Sequence, residues 1–253
     1  MSAHIKSFVK TADQEELHQF RVQVKKLRAL LIMIESSSKN AQLKKDFKPI
    51  KKIFKEAGEI RSAFVNLELS DQYHIKNPEF EKKQQETMDQ GTKEFVARGF
   101  KLIKKLKRSQ HRIYRDIHHL KNKTITKFYR HTLDEVSAFF ANIQFDEDLH
   151  DCRKKIKFLL YNHKPAHKAI SKKLSLDEEY LDKVQETVGK WHDNVLAIDL
   201  LSIEAHVDES LLKDFEQNDE KLRMEITDLV KDFKNKVFLP DQKQKDKAEK
   251  QYR

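Results

Sequence analysis

The amino-acid sequence predicts an all-α fold, and three observations support that prediction. Only 4 Gly and 4 Pro occur among 253 residues, so the turn residues that a strand-rich fold needs are scarce. Apolar residues recur at three- and four-residue steps, which is the spacing of a helix face packed on a core. No segment shows a convincing alternation of apolar and polar residues. Residues 62–69 come nearest to it, but they also fit the helix that precedes them.

Two helices are predicted in the first part of the chain. Thr11 and Asp13 each stand three residues before a Gln or Glu, so either one can open a capping box for a helix over residues 15–35. The core stripe of this helix consists of Phe20, Val24, Leu27, Leu31 and Ile34. A polar loop over residues 36–40 leads to a second helix, in which Pro49 lies either in the first turn or within a longer helix. The core stripe of that helix consists of Phe47, Ile50, Phe54, Ala57 and Phe64.

The middle of the chain begins with a clear start signal, Asn77 as the cap and Pro78 as the first helical residue. One or two helices follow up to about residue 120, with a possible break near Gly91. Residues 121–126 are predicted as a connection. The next helix carries Phe128, Leu133, Val136, Phe139 and Phe140 on its core side.

The C-terminal part starts with an acidic linker over residues 142–148 and a helix over residues 149–161 that ends near Pro165. Ser175 with Glu178 has capping-box spacing and opens a further helix. The core positions of that helix are Leu181, Val184, Val188, Val195, Ile198 and Leu201.

The net charge of +10 and the pI of about 9.3 favour anionic partners, but the charge is regional. Residues 101–130 hold 11 Lys/Arg against one acid, whereas residues 204–232 hold 10 acids against four Lys/Arg. The final helix, predicted over about residues 207–238, is therefore acidic. The polar segment 240–253 is predicted to be disordered.

The cellular context follows from simple features of the chain. Cys152 is the single cysteine, so there is no intrachain disulfide and no cysteine-based metal motif. The N-terminus lacks the apolar run of a signal peptide, and no stretch approaches the roughly 18 apolar residues of a membrane span. We expect a cytoplasmic protein with no membrane partner.

The chain contains an internal repeat. The segment HQFRVQVKKLRA, which starts at His18, resembles HDCRKKIKFLLY, which starts at His150, at an offset of 132 residues. A second pair of segments, AGEIRS around Gly58 and VGKWHD around Gly189, matches at an offset of 131 residues. Two matches at nearly one offset indicate a duplication into two related halves rather than a solenoid of short repeats.

One face of the repeated helix is cationic. Residues at i, i+3, i+7 and i+10 share a helix side, so one face of the first half presents His18, Arg21, Lys25 and Arg28. The second half repeats this face with His150, Arg153 and Lys157, and has Lys154 at the edge. Like charges at this spacing repel each other, and a merely solvated face has no reason to repeat them. The repetition therefore favours an anion held between the halves.

These residues carry a family resemblance. The pattern H-x-x-R-x-x-x-K followed by L-R resembles the signature of the conserved histidine α-helical domain, called CHAD. The second copy, H-x-x-R-K-x-x-K-x-L-x-Y, is similar to that family's second-half motif. Gly189, His192 and Asp193 resemble its Gly-x-x-His-Asp segment, and Gly58 with Arg61 resembles the first-half counterpart. The resemblance extends from about residue 11 to residue 238.

The resemblance implies two four-helix-bundle halves related by pseudo-two-fold symmetry, with a central basic groove or channel that binds inorganic polyphosphate. On this basis the first half covers residues 1–141 and the second covers residues 142–239, followed by the polar tail 240–253. The implied polyphosphate-binding residues are His18, Arg21, Lys25, Arg28, His150, Arg153, Lys154 and Lys157. Six further cations are candidates for additional contacts or for a solvated surface: Lys104, Arg108, Arg112, Arg115, Lys127 and Arg130.

The sequence departs from the family pattern at two positions. Leu160 stands where Arg28 stands in the first half, and Ser62 stands where an Asp is expected. The loss of a cation at Leu160 shifts the expected binding toward the first half. Arg61 and His192 are expected to stabilise helix packing or to reach a neighbouring backbone rather than to contact the ligand.

Catalysis is not expected. The chain has no Gly-rich phosphate loop, and no pair of carboxylates lies near the cationic face to hold Mg²⁺. The pairs His118–His119 and His163/His167 lack a third metal ligand at a convincing spacing. The prediction is a polyphosphate-binding protein with no catalytic residue, metal or cofactor, associated with polyphosphate granules.

The alternative is a basic helical protein that binds nucleic acid. Such a protein should also place aromatic side chains for stacking, whereas the aromatic residues here mostly fall on core stripes. Because a nearby phosphate favours a protonated imidazole, polyphosphate binding is predicted to strengthen at mildly acidic pH.

Overall fold

The computed structural model describes residues 1–36, 41–73, 77–117, 121–170, 176–202 and 209–238. Ten α-helices occupy this described part of the chain, whose single β-type pairing is a bridge between Leu176 and Phe238. The all-α prediction is confirmed. The chain divides into two compact units, one up to residue 119 and one from residue 120 onward.

The first unit contains α1 (Ser2–Thr11), α2 (Gln14–Glu35), α3 (Ala41–Gln72), α4 (Pro78–Ala97) and α5 (Gly99–Asp116). The long helix α3 packs against α2, α4 and α5, and α1 packs against α2, α4 and α5. All five helices contribute fully buried side chains, among them Phe8, Phe20, Ile50, Phe95 and Leu106. Each such side chain contributes on the order of 1.5–3 kcal/mol by leaving water. Helix α1 was not predicted from the sequence, and it is anchored by buried Ile5 and Phe8.

The structure of the first unit shows which residue caps α2 and where Pro49 lies in its helix. Asp13 is the N-cap of α2, since its Oδ1 accepts a hydrogen bond from the Glu15 amide at 2.8 Å, while the Thr11 hydroxyl accepts from the Asp13 amide. Pro49 lies inside the continuous helix α3, eight residues beyond its start. The start signal at Asn77 is confirmed, because Asn77 Oδ1 accepts from the Phe80 amide at 2.8 Å.

The predicted break near Gly91 is wrong. Gly91 lies within α4, and the helix is interrupted at Arg98, between α4 and α5. The glycine has a packing role instead, since a Cβ at this position would come within 2.8 Å of Ile60 Cγ1. A small residue lets α4 approach α3 closely, and this requirement is invisible to local sequence rules.

The second unit contains α6 (Asn122–Ala141), α7 (Glu147–Ile170), α8 (Glu178–Ser202), α9 (Glu209–Val230) and the one-turn α10 (Phe233–Lys236). Helix α7 packs against α6 and α8, α8 packs against α9, and α10 packs against α6. Helix α6 thus lies in the second unit, although the boundary expected from the sequence placed residues up to 141 in the first half. The buried Tyr129 of α6 ties it to α7, because its hydroxyl donates to the Leu159 carbonyl at 2.9 Å.

Three predictions for this unit are corrected. Residues 121–126 are not a connection, since α6 begins at Asn122 and buries Ile125. Helix α7 does not end near Pro165 but continues to Ile170, and the fully buried Ala166 keeps its core face intact beyond the proline. The final helix is interrupted at Asp232, whose left-handed φ of 56° separates α9 from α10.

Several further predictions fall wholly or partly outside the described residues, among them the polar loop over residues 36–40 and the pair His118–His119. Ser175, the predicted cap of α8, is another, and within the described part Asp177 Oδ1 accepts from the Tyr180 amide at 2.9 Å. The predicted tail, residues 240–253, also lies outside the described residues. The implied four-helix halves and their pseudo-two-fold symmetry stay predictions.

Candidate functional site

The arginine of the first repeat packs on the glycine of the second repeated segment. Arg21 of α2 donates from Nη1 to the carbonyl oxygen of Phe54 on α3 at 2.9 Å, and its guanidinium carbon lies 4.3 Å from the centre of the Phe54 ring. A Cβ at Gly58 would overlap Arg21 Nη1. The glycine therefore provides the space in which the guanidinium rests on α3.

The second unit repeats this contact. Arg153 of α7 donates from Nε to the carbonyl oxygen of Gln185 on α8 at 2.8 Å, and a Cβ at Gly189 would lie 2.5 Å from Arg153 Nη2. In both units the accepting carbonyl stands four residues before the glycine. A helical carbonyl has a second lone pair beyond its intrahelical bond, and the arginine uses it.

The Arg–Gly contact changes the assignment of two predicted ligand residues. Arg21 and Arg153 were predicted to bind the ligand, and the structure gives both a helix-packing contact as well. Burial, and then the nearby Arg61, lowers the pKa of Arg21. A guanidinium has several N–H donors, so one bond to a carbonyl leaves others for an anion. The contact holds each arginine in one place on the surface of its unit.

The remaining cations of the α2 face are accessible. Lys25 and Arg28 are exposed, and His18 is half-buried. Within the described residues, His18 and Arg28 make no hydrogen bond or ion pair. The α2 face therefore combines one anchored arginine with two exposed cations, Lys25 and Arg28, of which Arg28 has no partner in the described residues.

The cations of the α7 face are more engaged with the protein. Lys154 Nζ lies 2.7 Å from Asp151 Oδ1 and 3.6 Å from Glu147 Oε1. Lys157 Nζ donates to Gln185 Oε1 at 3.1 Å, and burial, followed by the nearby Arg153, lowers its pKa. An anion that binds here competes with these contacts.

Two histidines stack beside the α7 face. The rings of His150 on α7 and His192 on α8 lie 4.2 Å apart at an interplanar angle of 27°. Burial first, then His192 and Lys154, lowers the pKa of His150. His150 Nδ1 is buried and has no hydrogen-bond partner in the described part of the chain. This histidine therefore favours its neutral form.

His192 lies against a predicted ligand residue. The sequence predicts a role for His192 in helix packing or in contact with a neighbouring backbone, and the structure places its ring against that of His150. The available signal was its spacing, since His192 follows Gly189 by three residues and Gly189 contacts Arg153. Its first-half counterpart Arg61 has different neighbours, lying 4.6 Å from the centre of the Phe64 ring and 3.8 Å from Glu68.

The six additional candidate cations are all exposed and are divided between the units. Helix α5 of the first unit carries Lys104, Arg108, Arg112 and Arg115. Arg112 lies 3.7 Å from the buried carboxylate of Asp46, and Arg115 lies 3.0 Å from Asp116. Helix α6 of the second unit carries Lys127 and Arg130, and Arg130 lines a small cavity with Phe233 and Val237.

Neither a metal-ligand cluster nor a membrane-spanning helix occurs in the described part of the chain. There, no three His, Cys, Asp or Glu side chains come together as a ligand set. Likewise, none of the described helices has an apolar stretch long enough to cross a bilayer.

One protein-family model matches most of the chain. The model of the CHAD domain matches residues 1–202, which span helices α1 to α8 and include both Arg–Gly contacts. Helices α9 and α10 follow the matched region. A comparison with curated proteins finds no match. With four fifths of its length matched, the chain belongs to the CHAD domain family.

Proposed function

We propose that this protein binds linear inorganic polyphosphate, without catalysing a reaction, through the cationic faces of α2 and α7. The observation that carries the proposal is the α2 face, where Arg21 is fixed on α3 while His18 and Arg28 have no partner in the described residues. A guanidinium that has no partner in the described residues, beside an anchored arginine, suits an anion with many equivalent oxygens. Membership of the CHAD family agrees with a polyphosphate-related function.

The chemistry of such binding rests on repeated charge-assisted contacts. Each phosphate presents oxygens that a guanidinium can bind in a bidentate manner and that a lysine can bind as a point charge. A linear polymer carries these groups at a regular spacing, and its neutralisation releases counterions as it does for nucleic acid. The affinity should therefore fall steeply as the salt concentration rises.

Titration calorimetry with long-chain polyphosphate tests the proposal. The double variant Lys25→Gln/Arg28→Gln removes two exposed cations of the α2 face. We expect an affinity about 100-fold weaker, since each charge-assisted contact contributes about 1.5 kcal/mol and about 1.4 kcal/mol is a factor of ten. The plot of log affinity against log salt concentration should also become shallower by roughly 2.

A matched control keeps the same change in net charge. Lys82→Gln/Lys83→Gln removes two exposed lysines of α4 in the same unit, away from the repeated face. This variant should bind polyphosphate like the unmodified chain. If both double variants lose affinity equally, binding follows net charge alone and the proposed face is wrong.

Two further parts of the proposal have their own measurements. The absence of catalysis predicts that the length distribution of polyphosphate, read on a gel, stays unchanged after incubation with the protein. Binding to polyphosphate in cells predicts that the fluorescently tagged chain colocalises with polyphosphate granules, and that the Lys25→Gln/Arg28→Gln variant does so less.

A further inference from the structure

Helix α5 exposes a basic face that the proposed polyphosphate site does not use. The core side of the helix is formed by Leu102, Leu106 and Ile113, which are buried. The opposite side is exposed, and we call it the α5 face. Its central residues follow one another at three- and four-residue steps: Phe100, Lys104, Lys107, His111 and Tyr114.

Two aromatic side chains stand on this face in contact with water. Phe100 is 83% exposed and Tyr114 is 82% exposed. They are exceptions to the sequence prediction that aromatic residues fall on core stripes. The two residues are fourteen positions apart in the helix, which corresponds to about 21 Å along the helix axis. An exposed ring of this size is a large apolar surface left without a partner.

The charge around the two rings is almost entirely positive. Helix α5 holds seven Lys/Arg, and its one acid, Asp116, is paired with Arg115 at 3.0 Å. In the described residues, Lys104 and Lys107 make no hydrogen bond or ion pair. A groove between α3 and α5 is lined by four more cations and one acidic residue, Glu56. Arg98 neutralises Glu56, from which its Nη1 lies 3.3 Å away. The four cations are Lys52, Arg98, Lys101 and Lys105.

We propose that the α5 face binds single-stranded nucleic acid. The cations would contact the phosphates, and unpaired bases would stack on Phe100 and Tyr114, as stacking platforms do in proteins that bind single strands. Polyphosphate has the charge but no ring to stack, so it leaves the two exposed aromatic side chains unexplained. In a duplex the faces of the bases are already covered by their neighbours.

An anionic membrane is a poorer fit to the same residues. Helices that lie on a bilayer present a continuous apolar face to the lipid. The apolar face of α5 is buried in the core of its unit, and the two exposed rings are separated by Lys104, Lys107 and His111. Isolated rings between cations match a chain that alternates bases with phosphates.

Fluorescence anisotropy with a labelled oligodeoxythymidylate of roughly 12 nucleotides tests this proposal, since single-strand sites span about 4–16 nucleotides. The variant Phe100→Ala/Tyr114→Ala keeps every charge. We expect its affinity for the oligonucleotide to fall at least about tenfold, since stacking contributes about 1–3 kcal/mol per base. Its affinity for polyphosphate should not change.

The control removes two apolar side chains elsewhere. Leu196 is 44% exposed and Met224 is 70% exposed, both in the second unit. The variant Leu196→Ala/Met224→Ala should bind the oligonucleotide normally, and circular dichroism should show all variants equally helical. Equal oligonucleotide affinity in the aromatic variant and the unmodified chain would overturn the proposal.

Two more measurements separate this site from the polyphosphate site and from a membrane. The Lys25→Gln/Arg28→Gln variant should keep its oligonucleotide affinity even where its polyphosphate affinity falls, so the two proposals fail independently. Binding to vesicles of anionic phospholipid should not depend on Phe100 and Tyr114. If the aromatic variant loses vesicle binding but keeps oligonucleotide binding, the face is a membrane surface and the proposal is wrong.

Discussion

Helices α2 and α7 each carry an arginine that packs on a glycine of the following helix, but the charges around the two arginines differ. Arg21 and Arg153 each donate to a backbone carbonyl four residues before a glycine. Beside Arg21, the exposed Arg28 makes no hydrogen bond or ion pair in the described residues, whereas Lys154 and Lys157 already contact protein oxygens. The arginine and the glycine are present in both units, whereas Arg28 of the first unit is matched by the uncharged Leu160 in the second.

The largest expected effect separates the two faces. Lys25→Gln/Arg28→Gln on α2 should weaken polyphosphate binding about 100-fold. Lys154→Gln/Lys157→Gln on α7 should weaken it less than about tenfold, because both lysines must release their present partners before they bind phosphate. Calorimetry on the two double variants measures the difference. Equal losses would mean that the α2 and α7 faces contribute alike to polyphosphate binding.

A single substitution should reduce the difference in polyphosphate binding between the α2 and α7 faces. Leu160 is half-buried and uncharged at the position that matches Arg28. Leu160→Arg adds a cation to the α7 face and should strengthen polyphosphate binding about tenfold, which corresponds to one new charge-assisted contact of about 1.5 kcal/mol. Leu160→Gln is the matched control for the loss of the leucine. An arginine variant that binds no better than the glutamine variant would argue against ligand contact at this position.

The contact between Arg21 and Gly58 predicts that Gly58→Ala lowers the free energy of unfolding when Arg21 is present and raises it when Arg21 is replaced by Ala. Gly58→Ala places a Cβ where Arg21 Nη1 lies. The displaced guanidinium loses a charge-assisted bond of about 1.5–3 kcal/mol, which exceeds the gain of about 1 kcal/mol in helix propensity, so the free energy of unfolding should fall. In an Arg21→Ala background the same substitution should instead raise the free energy of unfolding by about 1 kcal/mol.

Denaturant unfolding of the four chains in this cycle measures the coupling. Gly189→Ala with and without Arg153→Ala is the matching cycle in the second unit, where the same reversal is expected. Additive effects in both cycles would show that the arginines and glycines do not depend on each other.

The smallest expected effect concerns pH. The pKa of His150 is lowered in the folded chain, so the unfolded chain binds more protons near and below the ordinary value of about 6.5. The stability contributed by neutral His150 is therefore present above that pH and is lost as the pH falls from that value through the lowered pKa of His150 in the folded chain. Bound polyphosphate favours the protonated ring, so affinity should strengthen a few-fold between about pH 7 and pH 5.5.

His150→Gln tests both consequences, because it removes the titrating group and keeps a polar side chain. Unfolding and polyphosphate binding of this variant should depend less on pH than those of the unmodified chain. A variant with the same pH dependence as the unmodified chain would assign the effect to another group.

The sequence alone determined the helical class, several helix starts and the duplication. These properties depend on local spacing, since an apolar stripe at helical steps or an Asn-Pro cap needs only a few neighbouring residues. The Asn77 cap and the apolar stripe of α2 are examples that hold in the structure. The cationic face of α2 was also visible, because residues at i, i+3 and i+7 share one side of any helix.

Only the tertiary structure decided which helix covers which face. In the folded chain α7 continues past Pro165, and Gly91 packs against Ile60 of α3. Arg21 packs on Gly58, and Phe100 and Tyr114 stay exposed on a basic helix. The physical reason is the same in each case. Burial and close approach depend on residues far apart in the sequence, whereas helix periodicity depends on near neighbours.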